Sequence, residues 1–321
     1  MTSDIPAAAS GESTQAQLTG ESACRIAPIT VLVPLDGSEL AAKALPAAKA
    51  ICAAMPESTL ILLRALPITP LPYGLMAAPE YIPADVYQQI TDDQERLSGE
   101  YLDAAAKAIA NSETHVRTAQ EHGDPASVIL DTASQQDAHL IVMTTHGRTG
   151  LARFTMGSVA DHVVRGGATP VLLLHSFETP EWSSATLRHA LVPLDGSLLS
   201  EAPLAEIVPR LADAVIQQVT LLQVVDPRNG AEAVTRAETY LAAARDRLIE
   251  RLGDRVCAVE TLVRAGPVAR TILDTIDAVN CGVVIMSTRG AEGIGRLTMG
   301  GVTDHVLRDE KTPLLLVYPG G

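Results

Sequence analysis

"LVPLDGS" at residues 32–38 recurs letter for letter at 191–197, and the fold follows from what surrounds the two copies. A short, continuously apolar run of this kind reads as a strand buried on both faces, which then leaves into a loop and a helical segment. The same landmarks follow each copy in the same order. "EHGDPASVILD" (121–131) aligns with "RAGPVARTILD" (264–274), and "HLIVMTTHG" (139–147) with "GVVIMSTRG" (282–290). Further on, "THGRTGLARFTMGSVADHVV" (145–164) matches "TRGAEGIGRLTMGGVTDHVL" (288–307) at eleven of twenty positions. One unit is therefore built twice.

Within the first unit, "ITVLVPL", "TLILLRAL", "THVRTAQ", "LIVMTT" and "PVLLL" are the expected strands. Between them lie the helical segments "SELAAKALPAAKAICAAM", "DDQERLSGEYLDAAAKAIANS", "PASVILDTASQQ" and "GSVADHVVRGG". The alternation predicts an α/β protein: two doubly wound five-stranded parallel-sheet domains in tandem. The expected boundaries are a disordered Ser/Thr/Ala-rich tail over 1–27, a first domain over 28–176, a linker over 177–187 holding the only tryptophan, Trp182, and a second domain over 188–319. The first landmark repeats at an offset of 159 and the later ones at 143, so the first copy carries 16 extra residues. They fall in the Pro-rich stretch 67–90, read as a long loop over the first unit.

Composition narrows the function. The chain has 321 residues, 47% of them hydrophobic, enough for two buried cores. A formal charge of −14 opposes binding to a nucleic-acid backbone or to anionic lipid, and 3% aromatics leave little to stack on single strands. No apolar run approaches the length of a membrane span and the N-terminus lacks a signal peptide, so the expected location is cytoplasmic. Cys24, Cys52, Cys257 and Cys281 form no Cys-x-x-Cys pair and read as reduced thiols.

In an open parallel sheet, ligands settle beyond the carboxyl ends of the strands where the strand order reverses. Asp36 and Gly147 are expected to meet there in the first copy, Asp195 and Gly290 in the second. Gly157 and Ser158 then open a helix whose free N–H groups and dipole favour an anion, and the Ser158 hydroxyl adds a donor to phosphate. The repeated pairs Asp161-His162 and Asp304-His305 have no third ligand and read as structural, and His146 becomes Arg289 in the second copy. Arg153 and Arg296 repeat within the Gly-rich stretch and are equally a phosphate contact or an arginine that is solvated or lies at the inter-domain face. The residues alone reach as far as an anion site.

The "VPLDGS" strand, combined with a glycine, nine residues and Gly-Ser before the last helix, resembles the universal stress protein family over about residues 28–319. The resemblance implies a tandem member with Rossmann-like, adenine nucleotide alpha hydrolase-like domains. The nucleotide-binding branch of that family holds ATP phosphates with Gly-x-x-Gly, nine residues, then Gly-Ser/Thr. Here Thr144 and Ser287 stand at the leading glycine, followed by Gly147, Gly157, Ser158 and Val159 in the first copy and by Gly290, Gly300, Gly301 and Val302 in the second. Gly301 lacks the hydroxyl, which removes a hydrogen bond worth about 0.5–3 kcal/mol, so binding is expected to be tighter in the first domain. By the same resemblance Asp36 and Asp195 contact the nucleoside, since a carboxylate beside the triphosphate would need Mg²⁺, and Ala65 and Val224 line the adenine pocket with backbone. The implied partners are an adenine nucleotide, the other domain in an intramolecular pseudo-dimer through the final strands, with a homodimer left open beside it, and protein partners of unknown kind. A nucleotide-independent interaction module and, last, a slow ATPase are the alternatives.

Overall fold

A computed structural model describes residues 27–68, 83–110, 114–145, 156–175, 182, 185–288, 301–309 and 312–319. The first half runs β1 (Thr30–Pro34), α1 (Glu39–Ala42), α2 (Ala44–Ala54), β2 (Thr59–Leu66), α3 (Ala84–Ile109), β3 (His115–His122), α4 (Pro125–Gln135), β4 (Leu140–Thr144), α5 (Ser158–Gly166) and β5 (Val171–Leu174). The second repeats it as β6 (His189–Pro193), α6 (Ala202–Glu206), α7 (Val208–Leu211), β7 (Gln218–Val225), α8 (Gly230–Leu252), β8 (Ala258–Ala265), α9 (Val268–Val279), β9 (Val283–Ser287), α10 (Gly301–Asp309) and β10 (Leu314–Val317). Each half has the strand order 3-2-1-4-5, parallel throughout.

The two sheets are one. β5 pairs antiparallel with β10, with Leu172 opposite Leu315 and with Leu173 and Val171 opposite Leu314 and Leu316, so ten strands run in the order β3-β2-β1-β4-β5-β10-β9-β6-β7-β8. This is the intramolecular pseudo-dimer that the resemblance implied. Strand alternation then builds two cores that each run through both halves. Val31, Val33, Leu172, Leu174, Leu315 and Val317 point to one face, under α2, α3, α7 and α8. Leu32, Val171, Leu173, Leu314 and Leu316 point to the other, under α4, α5, α9 and α10.

Three readings are corrected. The segment expected as one helix from Ser38 breaks at Lys43, because Pro46 has no N–H to donate to the carbonyl of Ala42. The stretch 67–90 is not all loop: α3 starts at Ala84, directly after Pro83, and residues 69–82 lie outside the described part. The connection is 17 residues (67–83) against four (226–229) in the second half, and α3 is 26 residues against 23 for α8, which together account for the offset. β3, expected to be buried on both faces, is an edge strand with most side chains exposed, as is β8. Their charged and polar side chains blunt the two open edges of the sheet.

Two histidines anchor the amino ends of the strands. His139 Nδ1 accepts from the Thr30 N–H (3.0 Å), and His189 Nε2 is 2.9 Å from Thr220 Oγ1. Burial, aided for His139 by Arg210, holds both imidazoles below the usual 6.5. In the unfolded chain they titrate near pH 6.5, so acidification puts protons on the unfolded state first. Stability is expected to be complete above that value and to fall as the pH drops below it. In melts between pH 7.5 and 5, His139→Gln should show a shallower loss than the wild type; parallel curves would remove His139 from the account.

Candidate functional site

β1 and β4 are parallel neighbours, with Val31 beside Leu140 and Leu32 beside Ile141. The chain leaves β1 toward α1 and α2 on one face and leaves β4 toward α5 on the other. A crevice at the carboxyl ends of these two strands is the consequence, and β6 and β9 repeat it.

The Asp-Gly-Ser turn forms one wall. Asp36 Oδ1 accepts from the Ser38 N–H (2.9 Å), and Ser38 Oγ accepts from the Ala41 N–H (3.1 Å), capping α1. Gly37 sits at φ +82°, where a side chain would be strained. The second copy reproduces the turn: Asp195 Oδ1 accepts from Ser197 N–H (2.9 Å), Ser197 Oγ from Ser200 N–H (3.2 Å), and Gly196 has φ +89°. Each aspartate therefore holds a turn, whatever else it contacts. Asp36 is half-buried and Asp195 exposed.

The opposite wall is the end of β4 and the start of α5. Thr144 and Thr145 are buried, and the Gly157 N–H donates to the Thr145 carbonyl (2.7 Å), which fastens the amino end of α5 to the strand edge. Gly157 is the N-cap and offers no side chain, and the Asp161 N–H is the first to find a carbonyl inside the helix. The N–H groups of Ser158, Val159 and Ala160 consequently lack intrahelical acceptors, and the Ser158 side chain is exposed beside them. In the second copy Ser287 and Thr288 are buried, Thr303 Oγ1 donates to the Ser287 carbonyl (3.3 Å), and α10 begins at an exposed Gly301. Ala65, Val224, Val159 and Val302 are partly buried against the core under α4, α5, α9 and α10. Gly147, Gly290 and Gly300, with Arg153 and Arg296, lie outside the described residues.

The repeated Asp-His pairs have a structural explanation. Asp161 pairs with Arg165 (2.7 Å) and Asp304 with Arg308 (3.0 Å), one turn on along α5 and α10. Among the described residues no group of three or more His, Cys, Asp or Glu side chains could hold a metal ion, and no helix is long and apolar enough to cross a membrane.

Two residues beside the turns were missed by the sequence reading. Arg64, near the end of β2, lays its guanidinium over Gly37 and 5.2 Å from the centre of the Tyr101 ring. Gln223 holds the same place in β7, with its amide beside Gly196. The signal was present: Arg64 is the one charge in "TLILLRAL".

The family model described as "Universal stress protein family" matches residues 30–175 and again 186–318. The chain belongs to the universal stress protein family. Its relatives include universal stress protein YxiE of Bacillus subtilis, 28% identical over 144 residues that span 45% of this chain and 97% of that protein. Universal stress protein Rv2005c of Mycobacterium tuberculosis is 24% identical over 242 residues, 72% of this chain and 77% of its own length. Among solved structures, a universal stress protein from Archaeoglobus fulgidus superposes with a TM-score of 0.62 at 18% identity, covering 91% of this chain and 97% of its own. That likeness is one of fold.

The two universal stress protein domains differ where Ser158 faces Gly301. Among the described residues a Cβ added at Gly301 meets nothing within 4 Å, so none of them opposes Gly301→Ser. Replacing a first-turn glycine should also stabilise α10 by about 0.5–1 kcal/mol. On the nucleotide reading proposed below, the expected outcome is a second binding event in calorimetric titration with Mg-ATP, at severalfold higher affinity than in the wild type; an unchanged isotherm would remove residue 301 from that reading.

Proposed function

We propose that this universal stress protein binds an adenine nucleotide in the first crevice, more weakly in the second, and serves as a cytoplasmic stress-response regulator. The observation that carries the reading is the start of α5: three N–H groups without intrahelical acceptors and an exposed Ser158 hydroxyl, fastened by Gly157 to the edge of β4. Such a start, with the helix dipole behind it, suits the phosphates of a nucleotide. The Asp36 turn, one strand away, takes the nucleoside, its carboxylate accepting from ribose or adenine donors. Occupancy acts by altering shape or association, and hydrolysis is not part of the reading.

A second reading, a nucleotide-independent module for protein partners, draws on Thr144 and Ser287 at the leading glycine positions and on Gly301. Thermal melts separate the two. Mg-ATP at a hundredfold excess over its Kd should stabilise the fold by about 2.7 kcal/mol, a shift of several degrees. Gly157→Asp sets a carboxylate against the phosphates and should remove the shift while leaving the ligand-free melt nearly unchanged. No shift in the wild type would favour the second reading.

A further inference from the structure

We infer that residues 64 and 223 set different ligand specificities for the two crevices, and that Arg64 makes the first one selective for an adenine nucleotide carrying an additional phosphate on the ribose 2′ or 3′ oxygen. The inference rests on the nucleotide reading above and concerns the nucleoside end, which the phosphate-binding helix start does not determine. The two turns share the aspartate-to-serine and serine-to-helix hydrogen bonds, the second adding two through Ser200 where the first has Ala41, so the residues beside them that differ in charge are informative.

Arg64 is half-buried and placed with unusual closeness. Its Nη1 lies 2.6 Å, and its Cζ 3.2 Å, from the point where a Cβ on Gly37 would stand, so the guanidinium rests directly over the glycine of the turn. The face of Tyr101 supports the guanidinium from α3 at 5.2 Å, a cation–π distance. Asp36 and Arg64 both act on the Tyr101 hydroxyl, which burial pushes up, Arg64 pulls down and Asp36 raises again. Asp36, Arg64 and Tyr101 thus share one corner of the crevice.

The second corner is built from neutral parts. Gln223 Nε2 lies 3.5 Å from the equivalent point over Gly196, and its Oε1 is buried with no hydrogen-bond partner among the described residues. A tyrosine again comes down from the long helix, Tyr240 of α8, but it sits by Glu201 and Ser200, and burial followed by the Glu201 charge drives its hydroxyl upward. A neutral amide with an unfilled acceptor suits an unmodified ribose hydroxyl or a base N–H.

The chemical consequence follows from charge. A phosphate on the ribose would stand against the carboxylate of the turn, which repels it unless a cation stands between. Arg64 is such a cation, with a planar fork of donors matched to phosphate, whereas Gln223 is not.

The test is calorimetric titration of the full chain with adenosine 5′-monophosphate and with its 2′,5′- and 3′,5′-bisphosphates. In the wild type, one site per chain should prefer one of the bisphosphates by about tenfold or more. Arg64→Gln should abolish the preference, bringing the ratio of bisphosphate to monophosphate affinity close to one, and Gln223→Arg should create a second site with the preference. Equal binding of all three ligands by the wild type, or a preference that survives in Arg64→Gln, would overturn the assignment while leaving nucleotide binding intact. Binding of none of them would overturn this inference, and no binding of Mg-ATP in the same titration would overturn the nucleotide reading with it. Equal ligand-free melting temperatures of both variants and the wild type exclude misfolding as the cause.

Discussion

Leu315→Asp is expected to destabilise the protein by about 4 kcal/mol and to split its unfolding into two transitions. Leu315 is 2% exposed and lies directly opposite Leu172, itself 1% exposed, in the antiparallel pair that joins the halves. A carboxylate there loses the apolar contact and faces the core under α2 and α7 without a partner. Because β5 and β10 are the last strands of their halves, loosening the pair exposes two strand edges while each half keeps its own five strands. Urea unfolding followed by circular dichroism and by the lone Trp182, which packs on that same core, checks both parts. A single transition at the wild-type midpoint would contradict the seam.

Gly282→Ala should cost about 3 kcal/mol, far more than a surface glycine. A Cβ there would run into the Thr186 carbonyl oxygen and stand 2.9 Å from its carbon, both backbone atoms that cannot swing aside. The approach has a purpose. Residues 185–188 lead into β6 and bury Leu187 (4% exposed) in the core, while the Gly282 N–H donates to the His189 carbonyl (2.8 Å). The first half keeps the equivalent hydrogen bond, His139 N–H to the Thr30 carbonyl (2.8 Å), and tolerates a histidine at that position. His139→Ala should therefore cost much less than Gly282→Ala; a Gly282→Ala variant within about 0.5 kcal/mol of wild type would show that the segment is not held against β9.

The repeat made most of the fold legible. "LVPLDGS" is a buried strand and a turn wherever it stands, and two copies in the same order of elements require two α/β units. Their fusion came from the family resemblance, because "PVLLL" and "PLLLV" read like any buried strand and say nothing of what lies beside them. The start of α3 was hidden by prolines: Pro83 before Ala-Asp is a helix-start signal that the Pro-rich run to its left obscured. The edge position of β3 was readable, since Arg117, Gln120 and Glu121 leave neither face apolar.

The site was legible in part. Asp-Gly-Ser carries its own structural logic, an aspartate that accepts from the residue two on and a serine that caps a helix, and this explains its repetition without a ligand. Gly157 and Ser158 stood out because glycine before a polar helix start is a local pattern. Arg64 and Tyr101 did not, because they meet only once β2 and α3 lie side by side.

The most direct measurement is mass spectrometry of the small molecules released when freshly purified protein is denatured, with adenine nucleotide quantified per chain. The account predicts about one nucleotide per chain, held in the first crevice and lost in Gly157→Asp. No nucleotide on the purified protein, followed by no binding on titration with Mg-ATP, would contradict it.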